Sequence, residues 1–193
     1  MKIELINATA SDAKAMLEIQ KECFKLHFER YQDVETSPVN ESIEKMMFKI
    51  NYDSGGYFKI MVDNIHAGCV RVYEKSPKLY RIGIIYILPE FQNKGIGQKA
   101  LALVESMFPE AEAWELDCPD DLAINRKCYE KAGYRLTGET EIINDKLTLV
   151  YYRKAIGHYH NEPRLIRYEE LPQLLNLYKQ LHPDDQRYMK MNR

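Results

Sequence analysis

The chain has 193 residues, 45% of them hydrophobic and 29% charged, and its 27 Lys+Arg against 29 Asp+Glu give a formal charge of −2. This length suits one domain with an attachment, and the composition is that of an ordinary globular protein. A near-neutral balance leaves no global basic field, so neither nucleic acid nor a membrane surface is an expected partner.

The opening Met1-Lys2-Ile3-Glu4 carries no signal-peptide core, which predicts a cytoplasmic location. Residues 3–7 read as a short strand through Ile3 and Leu5. Ser11-Asp12 can cap a helix over about 12–30, with Met16, Ile19 and Cys23 on one face. Ser37-Pro38 opens a second helix, whose Ile43, Met46, Met47 and Ile50 fall at i, i+3, i+4 and i+7. Asp53-Ser54-Gly55-Gly56 then breaks the chain. Tyr57 to Val62 and Ala67 to Tyr73 form a hairpin around Asp63-Asn64-Ile65-His66, and Leu79 to Leu88 is the third strand of the group. From Ile82 onward that strand is nearly all apolar, which places it in the centre of a sheet. It is also the longest apolar run, far short of the roughly 20 residues a membrane helix needs.

A helix over about 96–108 follows, then a strand from Ala113 to Cys118. Asp120-Asp121 caps a helix that runs through Ala132 and ends at Gly133. Tyr134 to Ile143 and Lys146 to Arg153 close the domain as a hairpin around Asn144-Asp145. The order of elements predicts a mixed α/β (α+β) sheet covered by helices. Cys23, Cys69, Cys118 and Cys128 show neither a CxxC pair nor a zinc spacing, so buried free thiols are expected and no metal site is.

The most informative stretch runs from Ile82 to Lys99, where an apolar strand enters a turn that opens a helix. The first amides of a helix have no internal partners and carry the positive end of its dipole. Gly95 and Gly97 let an anion approach the backbone, Lys94 adds a point charge, and Gln92 offers an amide donor. The combination predicts a phosphate cradle, best suited to a pyrophosphate. Gly95-Ile96-Gly97-Gln98-Lys99-Ala100 also satisfies the GxGxxA dinucleotide fingerprint, with Asp117 about 20 residues on. Against it, Pro89 to Lys94 separate strand from glycine and no second βαβαβ half follows. A dinucleotide-dependent oxidoreductase is therefore the weaker alternative.

Gln92-Asn93-Lys94-Gly95-Ile96-Gly97 resembles the Q/R-x-x-G-x-G/A signature of the GCN5-related N-acetyltransferase (GNAT) superfamily. Asn125-Arg126-Lys127-Cys128-Tyr129-Glu130-Lys131-Ala132-Gly133-Tyr134 is similar to that superfamily's N-x-x-x-Y-E-K-x-G-[FY] segment. The resemblance implies a GNAT-like acyl-CoA N-acyltransferase fold over residues 1–156, with two central parallel strands that splay apart. It implies acetyl-CoA as cosubstrate and a small-molecule or peptide amine as acceptor, joined by direct attack in a ternary complex. Pantetheine would pair with the backbone of Ile85, Ile87 and Leu88, and the pyrophosphate would take the amides of Asn93, Lys94, Gly95, Ile96, Gly97 and Gln98. A backbone N–H near Ile87 would stabilise the oxyanion. Tyr129 matches the family's general acid, and Asn125, one turn earlier, is a candidate for the cofactor. Where many relatives carry a glutamate base, this chain has Arg81, which leaves open Glu115 or Asp117 acting through water, an amine that enters neutral, or a CoA-binding module without turnover. His27, Tyr31 and Tyr86 are candidate linings of the acceptor pocket.

Residues 157–193 read as a linker and an amphipathic helix, with Leu171, Leu174, Leu175, Tyr178 and Leu181 on it. Leu165-Ile166-Arg167 and the helix after it resemble the start of a second GNAT domain. An apolar face of that size needs cover, which predicts a homodimer through this extension.

Overall fold

A computed structural model describes residues 1–156. The expectations for 157–193, the truncated second copy and the dimerising helix, lie outside the described residues.

Strand β1 (Ile3–Asn7) leads into α1 (Ala13–Tyr31) through a capping box, in which Asp12 accepts from the Thr9 amide at 2.8 Å. The helix ends on Gln32, whose φ of 51° is left-handed. The second helix does not begin at Ser37-Pro38 as expected. Pro38–Asn40 is a 3-10 turn, and α2 (Ile43–Ile50) starts anew on Ser42, which accepts from the Lys45 amide at 3.3 Å. A second capping serine interrupts what periodicity alone reads as one helix.

Strand β2 (Gly55–Val62) takes in the two glycines expected to break the chain, β3 (Ile65–Ser76) runs past Tyr73 to Ser76, and the turn between them is only Asp63-Asn64, at φ 48° and 68°. That is the twist-matched geometry of a two-residue hairpin, so Ile65 and His66 join the strand. Strand β4 (Leu79–Ile87), α3 (Ile96–Ser106), β5 (Ala113–Pro119), α4 (Ala123–Lys131), β6 (Arg135–Asn144) and β7 (Leu147–Ala155) follow close to the predicted bounds. Gly133, at φ 93°, stops α4 as its sequence position requires.

The seven strands lie in the order β1-β2-β3-β4-β5-β7-β6, and only β4 and β5 are parallel. β4 is central, as its apolar run predicts. One face packs on α3 and α4 through Trp114, Leu101 and Tyr134, and the other on α1 and α2 through Met16, Met46 and Tyr57. Each such large buried side chain contributes roughly 1.5–3 kcal/mol. A mixed sheet with one parallel pair is not the doubly wound order a dinucleotide fold needs.

Two features of β4 shape the site. Its parallel pairing with β5 stops after Leu79↔Ala113, Tyr80↔Trp114 and Arg81↔Glu115. Its pairing with β3 skips Gly83, since Arg71 faces Ile84 and Val72 faces Ile82. The extra residue is a bulge, which kinks a strand and reverses its side-chain alternation. Tyr80 and Ile82 therefore sit in the α3 core, whereas Ile84 and Tyr86 sit in the α1 core. The splay begins where the bulge bends β4 away.

Candidate active site

The splay opens a cleft of about 960 Å³, lined by β4 from Arg81 to Ile87, the turn into α3, the end of β5, α4, α1 and the β6–β7 hairpin. Its two ends differ in chemistry.

At one end the lining is backbone. The Leu88 amide donates to the Ala67 carbonyl at 2.8 Å, so by alternation Tyr86 and Ile84 point their amides and carbonyls at β3. Alternation turns those of Ile85 and Ile87 toward β5, which has already diverged. Ile85 and Ile87 thus turn toward the cleft an edge that no neighbouring strand pairs. Leu88 does not share in this: its carbonyl accepts from the Phe91 amide at 2.9 Å, and it does not line the cleft. Its expected pairing role is corrected on that ground, because both its backbone groups are spent.

The turn continues this edge. Pro89–Phe91 is a 3-10 turn, and Asn93 and Gly95 are both left-handed, at φ 59° and 74°. Among the described residues the amides of Asn93, Lys94, Gly95, Ile96, Gly97 and Gln98 have no hydrogen-bond partner; the first closed bond of α3 is Lys99 to the Gly95 carbonyl, at 3.2 Å. Nothing lies within 4 Å of where a Cβ on Gly95 would stand, and at Gly97 the nearest atom is Cys128 Sγ at 3.4 Å. The cradle is open, with the α3 dipole behind it. Ile96 anchors it by burying its side chain in the α3 core.

Two expected donors are engaged within the turn itself. Gln92 Nε2 donates to the Ile87 carbonyl at 2.8 Å, and Lys94 Nζ to the Glu90 carbonyl at 2.7 Å. Lys94 does not line the cleft. Both brace the loop, and Gln92 caps the Ile87 carbonyl so that the Ile87 amide is the group left free.

Tyr129 and Asn125 line the same end from α4, one turn apart. The Tyr129 ring stands between those of Tyr134 and Tyr152, with centroids 6.4 and 5.9 Å away, and its hydroxyl has no partner among the described residues. Burial, with Cys118 and Cys128 adding to it, pushes its pKa well above the usual phenol value. The group stays protonated at neutral pH and has a proton to donate. Burial also raises the thiols of Cys23, Cys69 and Cys118 to about 12, and all four cysteines are free.

At the other end the lining is side chains. His27 and Tyr31 come from α1, Tyr86 from β4, Asp117 from β5, and Glu141 and Tyr151 from β6 and β7. All three expected pocket residues are there, but Tyr86 is spent on packing: its hydroxyl donates to the Met16 carbonyl at 3.2 Å. Burial, then Arg30, lowers the His27 pKa, which leaves a neutral imidazole at neutral pH. Arg30 and the Tyr31 hydroxyl both bond Asp121, and Asn144 Nδ2 donates to the Tyr31 carbonyl at 3.2 Å. The end of α1 is thereby tied to the β5–α4 loop and to the hairpin tip. Arg81 is ion-paired to Asp117, and Tyr151 donates to Glu141. Sequence reasoning weighed Asp117 and marked Arg81 but did not pair them, and it missed Glu141 and Tyr151, which no local motif marks.

The sequence profile of the acetyltransferase (GNAT) family matches residues 13–134. No curated protein sequence matches the chain. Among solved structures, the PaiA N-acetyltransferase of Thermoplasma acidophilum in complex with coenzyme A is similar at 16% identity and TM-score 0.65, covering 81% of this chain and 100% of that one. The ribosomal L7/L12 alpha-N-protein acetyltransferase RimL, also with coenzyme A, is similar at 17% identity and TM-score 0.66, covering 81% and 95%. AAC(6')-Ib in complex with ribostamycin and coenzyme A follows at 19% identity and TM-score 0.64, covering 86% and 100%. At these identities the likeness is one of fold.

Proposed function

Because the chain belongs to the acetyltransferase (GNAT) family, we propose that it transfers an acetyl group from acetyl-CoA to a primary amine of an acceptor, by direct attack in a ternary complex. One observation carries this reading: an unpaired strand edge and a run of bare helix-opening amides share one cleft with a protonated tyrosine. Acetyl-CoA, the acetyl thioester of the coenzyme A that three structural neighbours hold, supplies the acetyl group. Here its pyrophosphate would take the amides of Asn93 to Gln98, and its pantetheine would pair with Ile85 and Ile87. The Ile87 amide faces the thioester oxygen, where charge develops as the amine attacks, a contribution of a few kcal/mol per donor in such sites. Tyr129 gives its proton to the departing sulfur. Asn125, on the same face of α4, meets the cofactor between them.

The acceptor reaches the thioester from the side-chain end. Ribostamycin and the ribosomal protein named for two neighbours define the amines to try first, an aminoglycoside and a peptide α-amine. Thiol release from acetyl-CoA across such a panel tests the proposal: turnover with at least one amine supports it. Clear CoA binding without turnover on any amine would favour a binding module, the second reading, which Arg81 in place of a glutamate motivates. The proposal extends to a cytoplasmic enzyme that pairs as a homodimer through residues 157–193. Size-exclusion chromatography of the full chain against one ending at Ala155 tests the pairing; an unchanged oligomeric state removes it.

A further inference from the structure

An acceptor that arrives as an ammonium must lose a proton before its nitrogen can attack, and most carboxylates around the cleft are already committed. Glu115 binds Lys75 at 2.7 Å and Arg153 at 3.2 Å and does not line the cleft. Asp33 accepts from the amides of its own turn, Thr36 at 2.9 Å and Glu35 at 3.1 Å. Asp121 is held by Tyr31 and Arg30, and Glu141 by the Tyr151 hydroxyl. Asp117 differs. It lines the cleft at the foot of the splay, and its side-chain partner is the Arg81 guanidinium.

The position of Arg81 is particular. It forms the last parallel rung, opposite Glu115, yet its side chain passes that rung partner to reach Asp117, the next residue on the same face of β5. Its guanidinium lies 5.5 Å from the centroid of Tyr151, the residue opposite Asp117 in the β5–β7 register. The side chains of Arg81 and Asp117 are only 15% and 24% exposed. A planar cation held by a carboxylate and a ring has little freedom to leave.

We propose that Arg81 is a positioning residue that fixes Asp117 as a carboxylate at the foot of the cleft, and that Asp117 takes the proton from the acceptor's ammonium. This rests on the acetyl-transfer reading above. The ammonium gives one proton to Asp117. The freed nitrogen pair forms the C–N bond, the C–S bond breaks, and the sulfur takes a proton from Tyr129. The second proton shed by nitrogen restores Tyr129, and the one on Asp117 leaves to solvent.

Electrostatics fit the assignment. Burial raises the Asp117 pKa, Arg81 opposes that rise, and Glu141 adds to it. The other titratable groups around it are Tyr151 on β7, Cys118 beside it on β5, Tyr129 on α4, and His27 and Tyr31 on α1 across the cleft. A carboxylate lifted by its surroundings is a better base, provided a cation keeps it ionised at working pH.

The test uses the full chain with acetyl-CoA and, as acceptors, ribostamycin, 1,4-diaminobutane and a peptide with a free N-terminal serine. Asp117→Asn should lower kcat roughly 100-fold or more while CoA affinity stays within about threefold. Arg81→Gln removes the influence that lowers the Asp117 pKa, so the acid limb of kcat/KM should move up by about one pH unit, and Arg81→Lys should restore most of it. Tyr151→Leu, which takes away the ring beneath the guanidinium, should move the limb the same way by less, and it decides the matter if Arg81→Gln does not fold. Full turnover by Asp117→Asn overturns the proposal. So does a raised acceptor KM in Arg81→Gln with an unmoved limb, which would make Arg81 a binding group for the acceptor. A wild-type enzyme that binds CoA but turns over none of the three amines overturns the acetyl-transfer reading itself, and this one with it.

Discussion

The two ends of the cleft are made of different material. The end that suits coenzyme A is built from main chain: the free edge at Ile85 and Ile87 and the amides of Asn93 to Gln98, with glycines where side chains would intrude. The acceptor end is built from side chains on five elements, locked to one another as Arg81–Asp117, Tyr151–Glu141 and Tyr31–Asp121. A main-chain site keeps its ligand while its residues drift, because every residue type has an amide. A side-chain site changes its ligand with each substitution. The common cosubstrate and the open choice of acceptor follow from that division of labour.

The division can be broken or sharpened by substitution. The largest effect belongs to the proposed proton donor: Tyr129→Phe should reduce kcat roughly 100-fold or more and leave CoA affinity nearly unchanged in calorimetry. Gly97→Ala probes the main-chain end alone. Its Cβ would meet Cys128 Sγ at an ordinary 3.4 Å, so the melting temperature should hold or rise, because alanine suits a helix better than glycine. Its methyl group lies beside Cys128 and Ile87, and the family signature admits alanine at this position, so the CoA dissociation constant should stay within about threefold, under about 0.7 kcal/mol. Tyr31→Phe probes the other end. It removes the hydroxyl that holds Asp121, should cost about 1 kcal/mol in urea unfolding, and should raise the acceptor KM without touching CoA affinity. A change in CoA affinity here would erase the distinction between the two ends.

The smallest effect lies outside the cleft and gives its baseline. Asp12, bonded to Lys59 at 2.6 Å and to the Thr9 amide, titrates at about 2 rather than 3.8. A depressed carboxylate stabilises the fold fully above about pH 4, and the gain is lost as pH falls toward 2. With the pair's partial exposure allowed for, Asp12→Asn should cost about 1 kcal/mol at pH 7 and nearly nothing at pH 2. Activity per folded molecule should not change.

The same division governs what could be read from the sequence. Gly95, Gly97 and Gly133 declare their turns locally, and the apolar run of β4 announces a central strand, so the sheet and the cradle were legible. The second start of a helix at Ser42 was not, because its pattern continues in phase across the 3-10 turn. Neither was the bulge at Gly83, which is visible only against its β3 partner. Gln92 read as a phosphate donor because its residue type allows it; the carbonyl of Ile87, bent within reach by the turn, claims its amide. Leu88 is set apart from Ile87 by strand parity, which turns its amide to Ala67, and by the turn, which takes its carbonyl. Arg81 was noticed as a departure from the family, but its meaning lies in Asp117 and Tyr151, brought to it from distant parts of the chain by the sheet alone.

The tie between Tyr31 and Asn144 has a further consequence. It joins positions 113 apart, and the bonds to Asp121 span 91 and 90 residues, whereas the bracing of the 87–94 turn closes within five residues. Long closures carry the greater entropic penalty and are completed late. The wall that meets the amine should therefore be the last part to assemble and the first to open, with rapid deuterium uptake at residues 30–36 and 143–146 beside a protected central strand. An enzyme organised in this way admits new acceptors by loosening a seam, while the slot for its acetyl donor stays shut to change.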